Sequence, residues 1–457
     1  MMKKILASTL LGTFAFWFIL NPACAITDKT DKKTKKQQEQ LQTIIERVNY
    51  DWWQQANDSY LEDYILRAIQ NNHDIKTAQL KVEQAQINVT VARSNLMPTV
   101  GIGAAPALAK LPNSTKTMGT IALPIFASYE LDIFGKNWDK TKSAKKLLKG
   151  VEYQRTASEI SIISLVGSIY YNIVKLDKVI ELQQKITDDR AEIYRLMNIS
   201  NKEGIASLQD TIHAEKAYIM AQNDLIEYQK ARVNTLNSLA VLIGDSPNNI
   251  EEYKRISYDD LNSDFVIPNE ISSEIIVNRP DYKSLESMLE GAGIDVRVAK
   301  KEFLPTIDIL GAVAFVATST ARTMDWKNAV SFLGANATLP LFTGFKKVAN
   351  LKLNKNKYSQ ILEQYQKTNL TAIQEVNDSL YNFKSDNEKL KNNVKALEMQ
   401  KNDFKLASLK YQEGVISRLD LLQQKEALLY TEQLIANSKI SCYIDKIGLY
   451  KATGAKI

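Results

Sequence analysis

Proline restricts this chain more than any other residue. Its ten prolines are Pro22, Pro98, Pro106, Pro112, Pro124, Pro247, Pro268, Pro280, Pro305 and Pro340, so none lies between Pro124 and Pro247 and none follows Pro340. Inside a helix a proline removes a hydrogen bond, clashes with the preceding turn and costs about 3 kcal/mol. The two proline-free tracts are therefore where long helices can exist. Apolar spacing agrees: Ile162, Val166, Ile169, Ile173, Leu176 and Ile180 step alternately by four and three. Leu380, Phe383, Leu390, Val394, Leu397, Phe404 and Tyr411 keep the same seven-residue register. This is a coiled-coil seam. Asn387, Lys401 and Ser408 interrupt it, which predicts a partly solvated bundle wall.

Glycine then cuts each tract. Counted from Asp139, about 65 helix-compatible residues precede Gly204, enough for about 95 Å of helix. A similar length from Lys346 ends at Gly414. Each glycine is a helix C-cap signal, and Ser207 or Ser417, three residues on, suits the N-cap of a returning helix. Two long helical hairpins are predicted, at about 139–243 and 346–450.

The two hairpins belong to an internal duplication. Asp74 aligns with Asp281 at an offset of 207, and the same offset lays Leu96-Met-Pro-Thr99 over Phe303-Leu-Pro-Thr306. Gly135 and Gly344 differ by 209, and Gly204 and Gly414 by 210. Repetition that keeps proline, glycine and hinge positions together is a specific signal. It predicts one repeat over 49–250 and a second over 251–457, each reading helix, strand pair, very long helix, tight turn, return helix.

The strand pairs are predicted at about 99–132 and 306–342. Ile307, Ile309, Val313 and Phe315 share one face with Gly311 between them, and Val100, Ile102 and Ala104 alternate likewise. The second strands are expected at Met118–Asp132 and Ala329–Phe342. About ten residues suffice for a tilted membrane strand. Four strands alone would leave open edges in lipid, where backbone groups must all be paired, so a spanning barrel requires further copies of the chain. A soluble sheet fits the same alternation.

At the N-terminus, Lys3 and Lys4 precede an apolar run from Ile5 to Leu20, followed by Pro22-Ala-Cys-Ala25, the layout of an export signal over residues 1–25. Two processing routes fit: cleavage after Ala25, or lipidation of Cys24 as the first mature residue. Residues 26–48 begin lysine-rich and polar and read as a solvated tether. No later run of about 18 uncharged apolar residues occurs, so membrane contact would come from strands or lipid.

With 58 Lys plus Arg against 52 Asp plus Glu over 457 residues, the net charge of +6 is too dilute for a nucleic-acid surface. Two cysteines and two histidines, His73 and His213, supply neither a disulfide framework nor a metal site, and no cofactor motif is present. The histidines read as surface or packing residues, and Cys442 as a small buried apolar one.

Asp51-Trp-Trp53, Ala68-Ile-Gln-Asn-Asn72, Ser128-Tyr-Glu-Leu-Asp-Ile-Phe-Gly135, Asn278-Arg-Pro-Asp281 and the paired glycine turns together resemble the TolC family of outer-membrane efflux channels, in the NodT/OprM-like subfamily serving tripartite drug and metal efflux pumps. The resemblance runs from about residue 50 to 450. It implies a mainly α fold with a membrane β-barrel, a homotrimer whose four strands per chain close twelve, and a helical periplasmic tunnel. It implies passive conduction rather than catalysis, with a periplasmic adaptor, an inner-membrane transporter and outer-membrane lipid as partners. Protein secretion, metal-ion efflux and a non-channel coiled-coil adaptor are the competing readings. Gly204, Ser207, Gly414 and Ser417 would then mark the periplasmic tip. Asp210 and Asp420 are candidate gate carboxylates, with Tyr411 and Arg418 as latch partners. Both aspartates also suit the first turn of a helix, where a negative charge favours the dipole.

Overall fold

The computed structural model describes residues 53, 56–110, 117–248, 250–262, 274–317 and 329–454. The expected export signal, tether and Cys24 lie outside these.

Helices α1 (Ser59–Asn71) and α2 (His73–Ser94) lead into strands β1 (Thr99–Ile102), β2 (Ala105–Lys110) and β3 (Thr117–Leu131). Helix α3 (Lys136–Lys202) and its return α4 (Leu208–Leu242) follow. The single turn α5 (Glu274–Val277) precedes α6 (Pro280–Lys301), β4 (Thr306–Ala317), β5 (Ala329–Thr338), α7 (Lys346–Gln412) and α8 (Arg418–Ala452). The duplication is plain in the lengths. Both α2 and α6 have 22 residues, α3 and α7 have 67, and α4 and α8 have 35.

Helix α3 begins three residues before Asp139 because Asp132 reaches it. Its carboxylate accepts from the backbone N–H groups of Asn137 at 3.0 Å and Trp138 at 2.7 Å, two of the donors a helix start leaves open. The residue before α3 is Gly135 at φ 65°, and the one before α7 is Phe345, also at φ 65°. The structural counterpart of Gly135 is thus Phe345, not Gly344. A bulky residue there carries left-handed strain of roughly 1–2 kcal/mol.

The strands form one antiparallel sheet in the order β1-β3-β4-β5, with β2 also on β3. Where one first strand was expected there are two, β1 and β2, yet Ile102↔Ile125 and Ala105↔Ala122 keep a single register. The break lies opposite Pro124. Gly103 N–H donates to the Pro124 carbonyl at 2.9 Å, but a proline has no N–H to return. Strand β5 stops at Thr338, four residues before Phe342, as Pro340 removes the next ladder donor.

Register sorts the side chains. Ile121, Leu123, Ile125, Tyr129 and Leu131 share a face with Ile307, Ile309, Val313 and Phe315, and that face is almost wholly apolar. Thr99, Ser128, Glu130, Asp308, Asn336 and Thr338 lie on the opposite face, with Glu130 and Asp308 directly paired.

The core gathers around the middle of α3. Tyr170, Tyr171, Ile173, Leu182 and Ile186 are fully buried there, and Leu61 and Ile65 of α1 and Leu236 and Leu239 of α4 are buried with them. An 18-residue window of α3 reaches a mean hydropathy of 1.3, but 61% of it is buried inside the protein, as in the core helix of a bundle. Cys442 is buried beside Phe383 and Leu390, and burial pushes its thiol up to about 12. His73 and His213 are exposed.

Candidate functional site

The α3–α4 and α7–α8 hairpins turn in the same way. At the end of α3, Ile205 N–H donates to the Ser200 carbonyl at 2.8 Å and Gly204 N–H to Asn201 at 3.0 Å. At the end of α7, Val415 N–H donates to Lys410 at 2.8 Å and Gly414 N–H to Tyr411 at 3.0 Å. This is a Schellman closure, which needs a left-handed residue. Gly204 sits at φ +72° and Gly414 at φ +75°, with no atom near a hypothetical Cβ, so backbone conformation alone demands glycine.

The return helices start with capping boxes. Asp210 N–H donates to Ser207 Oγ at 3.1 Å, while Ser207 Oγ–H donates to Asp210 Oδ2 at 2.7 Å. Asp420 and Ser417 repeat this at 3.2 and 2.7 Å. The hydroxyl of Ser417, with its backbone N–H, holds the Asp420 carboxyl below the usual carboxylate range. Within the chain, each aspartate is engaged by its own turn. Arg418 lies 5.9 Å from the Tyr411 ring centre, again within one hairpin.

What joins the two hairpins lies higher, along the contact between α3 and α8. The Arg190 Nε–H donates to Glu426 Oε1 at 2.7 Å, and Lys425 Nζ donates to Asp189 Oδ1 at 2.7 Å. Gln433 Nε2 donates to Gln183 Oε1 at 3.1 Å. Apolar clusters flank these pairs, Ile193, Ala214 and Leu422 on the turn side and Leu182, Ile186, Ala221 and Leu429 on the other. Glu426 and Asp189 are both buried. Burial pushes the Glu426 carboxyl up, and Arg190 opposes that shift. Asp189 Oδ2 has no hydrogen-bond partner. The site is two hairpins pinned together by two buried carboxylates, each paired with a partly exposed cation, so removing the cation leaves the carboxylate desolvated without its counter-charge.

This ladder is not among the sites expected from sequence, although the chain carries a signal for it. Continued by four and three, the seam Ile162 to Ile180 lands on Gln183, Thr187 and Arg190. Polar residues at successive seam positions mark a place where the packed face must find polar partners.

The profile of a family described as outer membrane efflux protein matches residues 64–245 and 271–455. The chain is 25% identical over 411 residues to the probable efflux pump outer membrane protein TtgC of Pseudomonas putida, covering 88% of this chain and 84% of that one. It is 22% identical over 398 residues to the cation efflux system protein CusC of Escherichia coli, covering 87% of each. Among solved structures, the Campylobacter jejuni CmeC outer membrane channel superposes with a TM-score of 0.81 at 25% identity, over 90% of this chain and 88% of that one.

Proposed function

The chain belongs to the outer membrane efflux protein family, and from that premise we propose that it is the exit channel of a tripartite pump, conducting drugs and other small toxic compounds passively. It works in the outer membrane as a homotrimer, with a periplasmic adaptor and an inner-membrane transporter. The observation that carries this reading is the sheet: four antiparallel passes, one continuous apolar face, and outer edges at β1 and β5. In lipid both edges must be paired, so β5 of one copy joins β1 of the next until three copies close twelve strands. The apolar face then meets lipid, and Glu130, Asp308 and Asn336 line the lumen.

Conduction requires a pore and a gate, and no bond is made or broken. The turns at Gly204–Ser207 and Gly414–Ser417, at the far ends of the longest helices, are the surface offered to the adaptor. The gate is the freedom of one hairpin to move against the other. Arg190–Glu426 and Lys425–Asp189 hold the closed arrangement, while Asp210 and Asp420 set the helix starts that aim the tip. Two repeats, 49–250 and 251–457, supply the two hairpins, and lipidation at Cys24 would add an anchor to the same membrane.

The test is planar-bilayer recording of the purified full chain. Discrete channel steps are expected, with larger steps once Arg190 is removed. Absence of any conductance from well-folded protein contradicts the reading.

A further inference from the structure

We propose that Lys142 and Lys145 on α3, with Lys352 and Lys355 on α7, form a binding ring for anionic phospholipid headgroups of the membrane leaflet facing the periplasm; this rests on the outer-membrane channel reading above. The four positions are one pair, repeated. Lys352 and Lys355 stand 210 residues after Lys142 and Lys145, the same offset that relates the starts of α7 and α3 at Lys346 and Lys136. All four are exposed. Among the described residues none of them enters an ion pair, whereas the nearby Lys136, Lys146 and Lys301 all do.

Their direction follows from the helix. Lys136 Nζ reaches Glu130 at 2.7 Å, on the polar face of the sheet. At about 100° per residue, Trp138, Lys142 and Lys145 cluster on the side of α3 roughly opposite Lys136, and so continue the apolar face. The flanks between are closed: Asn137, Asp139 and Thr141 are buried, and Asp139 pairs with Arg297 and Lys301 of α6. Trp138 is 63% exposed on the outward side.

The lysines also stand at the height of the membrane–water interface. Between the strands and the lysines, Ile133, Phe134, Leu341, Phe342 and Phe345 are all exposed. Aromatic residues in that position form the belt of a membrane–water interface. Lys142 and Lys352 lie six residues into their helices, about 9 Å along the axis. Lysine stems reach back toward the interface, and the polar layer on each side of the hydrocarbon is about 5–8 Å deep. The ammonium groups therefore meet phosphates just outside the belt. In the trimer, six helices present twelve such charges, each adding an attraction that is lost in salt.

The experiment is native mass spectrometry of the full-length trimer in detergent, titrated with equimolar phosphatidylglycerol and phosphatidylethanolamine. The wild type should retain phosphatidylglycerol preferentially, and high salt should erase the preference. The K142Q/K145Q/K352Q/K355Q variant should lose at least about fivefold of it. The corresponding quadruple arginine variant should keep it, as should K391Q/K395Q/K401Q/K405Q, which removes exposed lysines far along α7. Equal retention of both lipids by the wild type, a preference indifferent to salt, or an undiminished preference in the quadruple glutamine variant overturns the proposal. So does a glutamine variant that keeps its lipid preference but loses crosslinking to the adaptor, since the surface would then belong to a protein partner. Trimer mass and conductance, which these substitutions leave unchanged, report separately on the channel reading.

Discussion

Arg190 and Glu426 are 236 positions apart in sequence, yet the Arg190 Nε–H donates to Glu426 Oε1 at 2.7 Å and links the two helical hairpins. The pair sits about 20 Å from the turns, measured along the helix from Gly204. Removing either side alone should loosen the gate. Arg190→Ala leaves the buried Glu426 carboxylate with the Tyr430 hydroxyl but no cation, which should cost about 1–3 kcal/mol in the closed arrangement. Single-channel recordings should show larger or longer openings with the trimer intact. The charge exchange R190E/E426R should restore closed behaviour, and a double-mutant cycle should return a coupling of at least about 1 kcal/mol.

Asp445 on α8 gives a pH dependence. Burial, reinforced by the Asp386 carboxylate beside it, pushes Asp445 from 3.8 up to about 6. Asp386 itself pairs with Lys389 at 2.8 Å. A carboxyl whose folded value is raised binds more protons in the folded state, so stability falls as pH rises from about 3.8 to about 6. Above that window the penalty is fully present. The shift corresponds to about 3 kcal/mol, and solvent screening of this half-buried group lowers the expected gain of Asp445→Asn at neutral pH to about 1–2 kcal/mol per chain, with none at pH 3.5. Denaturant unfolding of both proteins across that range checks it.

The two glycine turns should respond to conformation rather than to bulk. Gly204→Ala and Gly414→Ala meet no neighbouring atom, but each forces a side chain into φ near +70°, costing about 1–2 kcal/mol. Asparagine, which tolerates that region, should cost less. Ser207→Ala removes a cap and should cost about 1 kcal/mol. If these variants instead abolish adaptor crosslinking at full stability, the turns recognise the partner through those side chains and not through backbone shape.

Much of this architecture could be read from the chain. Prolines bounded α3 and α7 because their effect on a helix is local, and the glycine turns and capping serines are equally local. The start of α3 moved only because Asp132 acts as a distant cap, a contact requiring the chain to have turned already. The break between β1 and β2 was hidden for a related reason: Pro124 interrupts the strand opposite, not its own. Gln183, Thr187 and Arg190 were legible as polar residues on an apolar seam, but Asp189 falls beside that seam, and nothing in the local sequence of α8 singles out Lys425, Glu426 and Gln433. Only the packing of one hairpin on the other joins the two sets.

A sheet with two open edges in lipid must be closed by copies of the same chain. The most direct measurement is the mass of full-length protein extracted from outer membranes, taken by light scattering with the detergent contribution subtracted. Three copies of the chain, 51.6 kDa each before processing, are expected, resistant to dilution because each copy supplies an edge the next requires. A stable monomer with an intact sheet would contradict it.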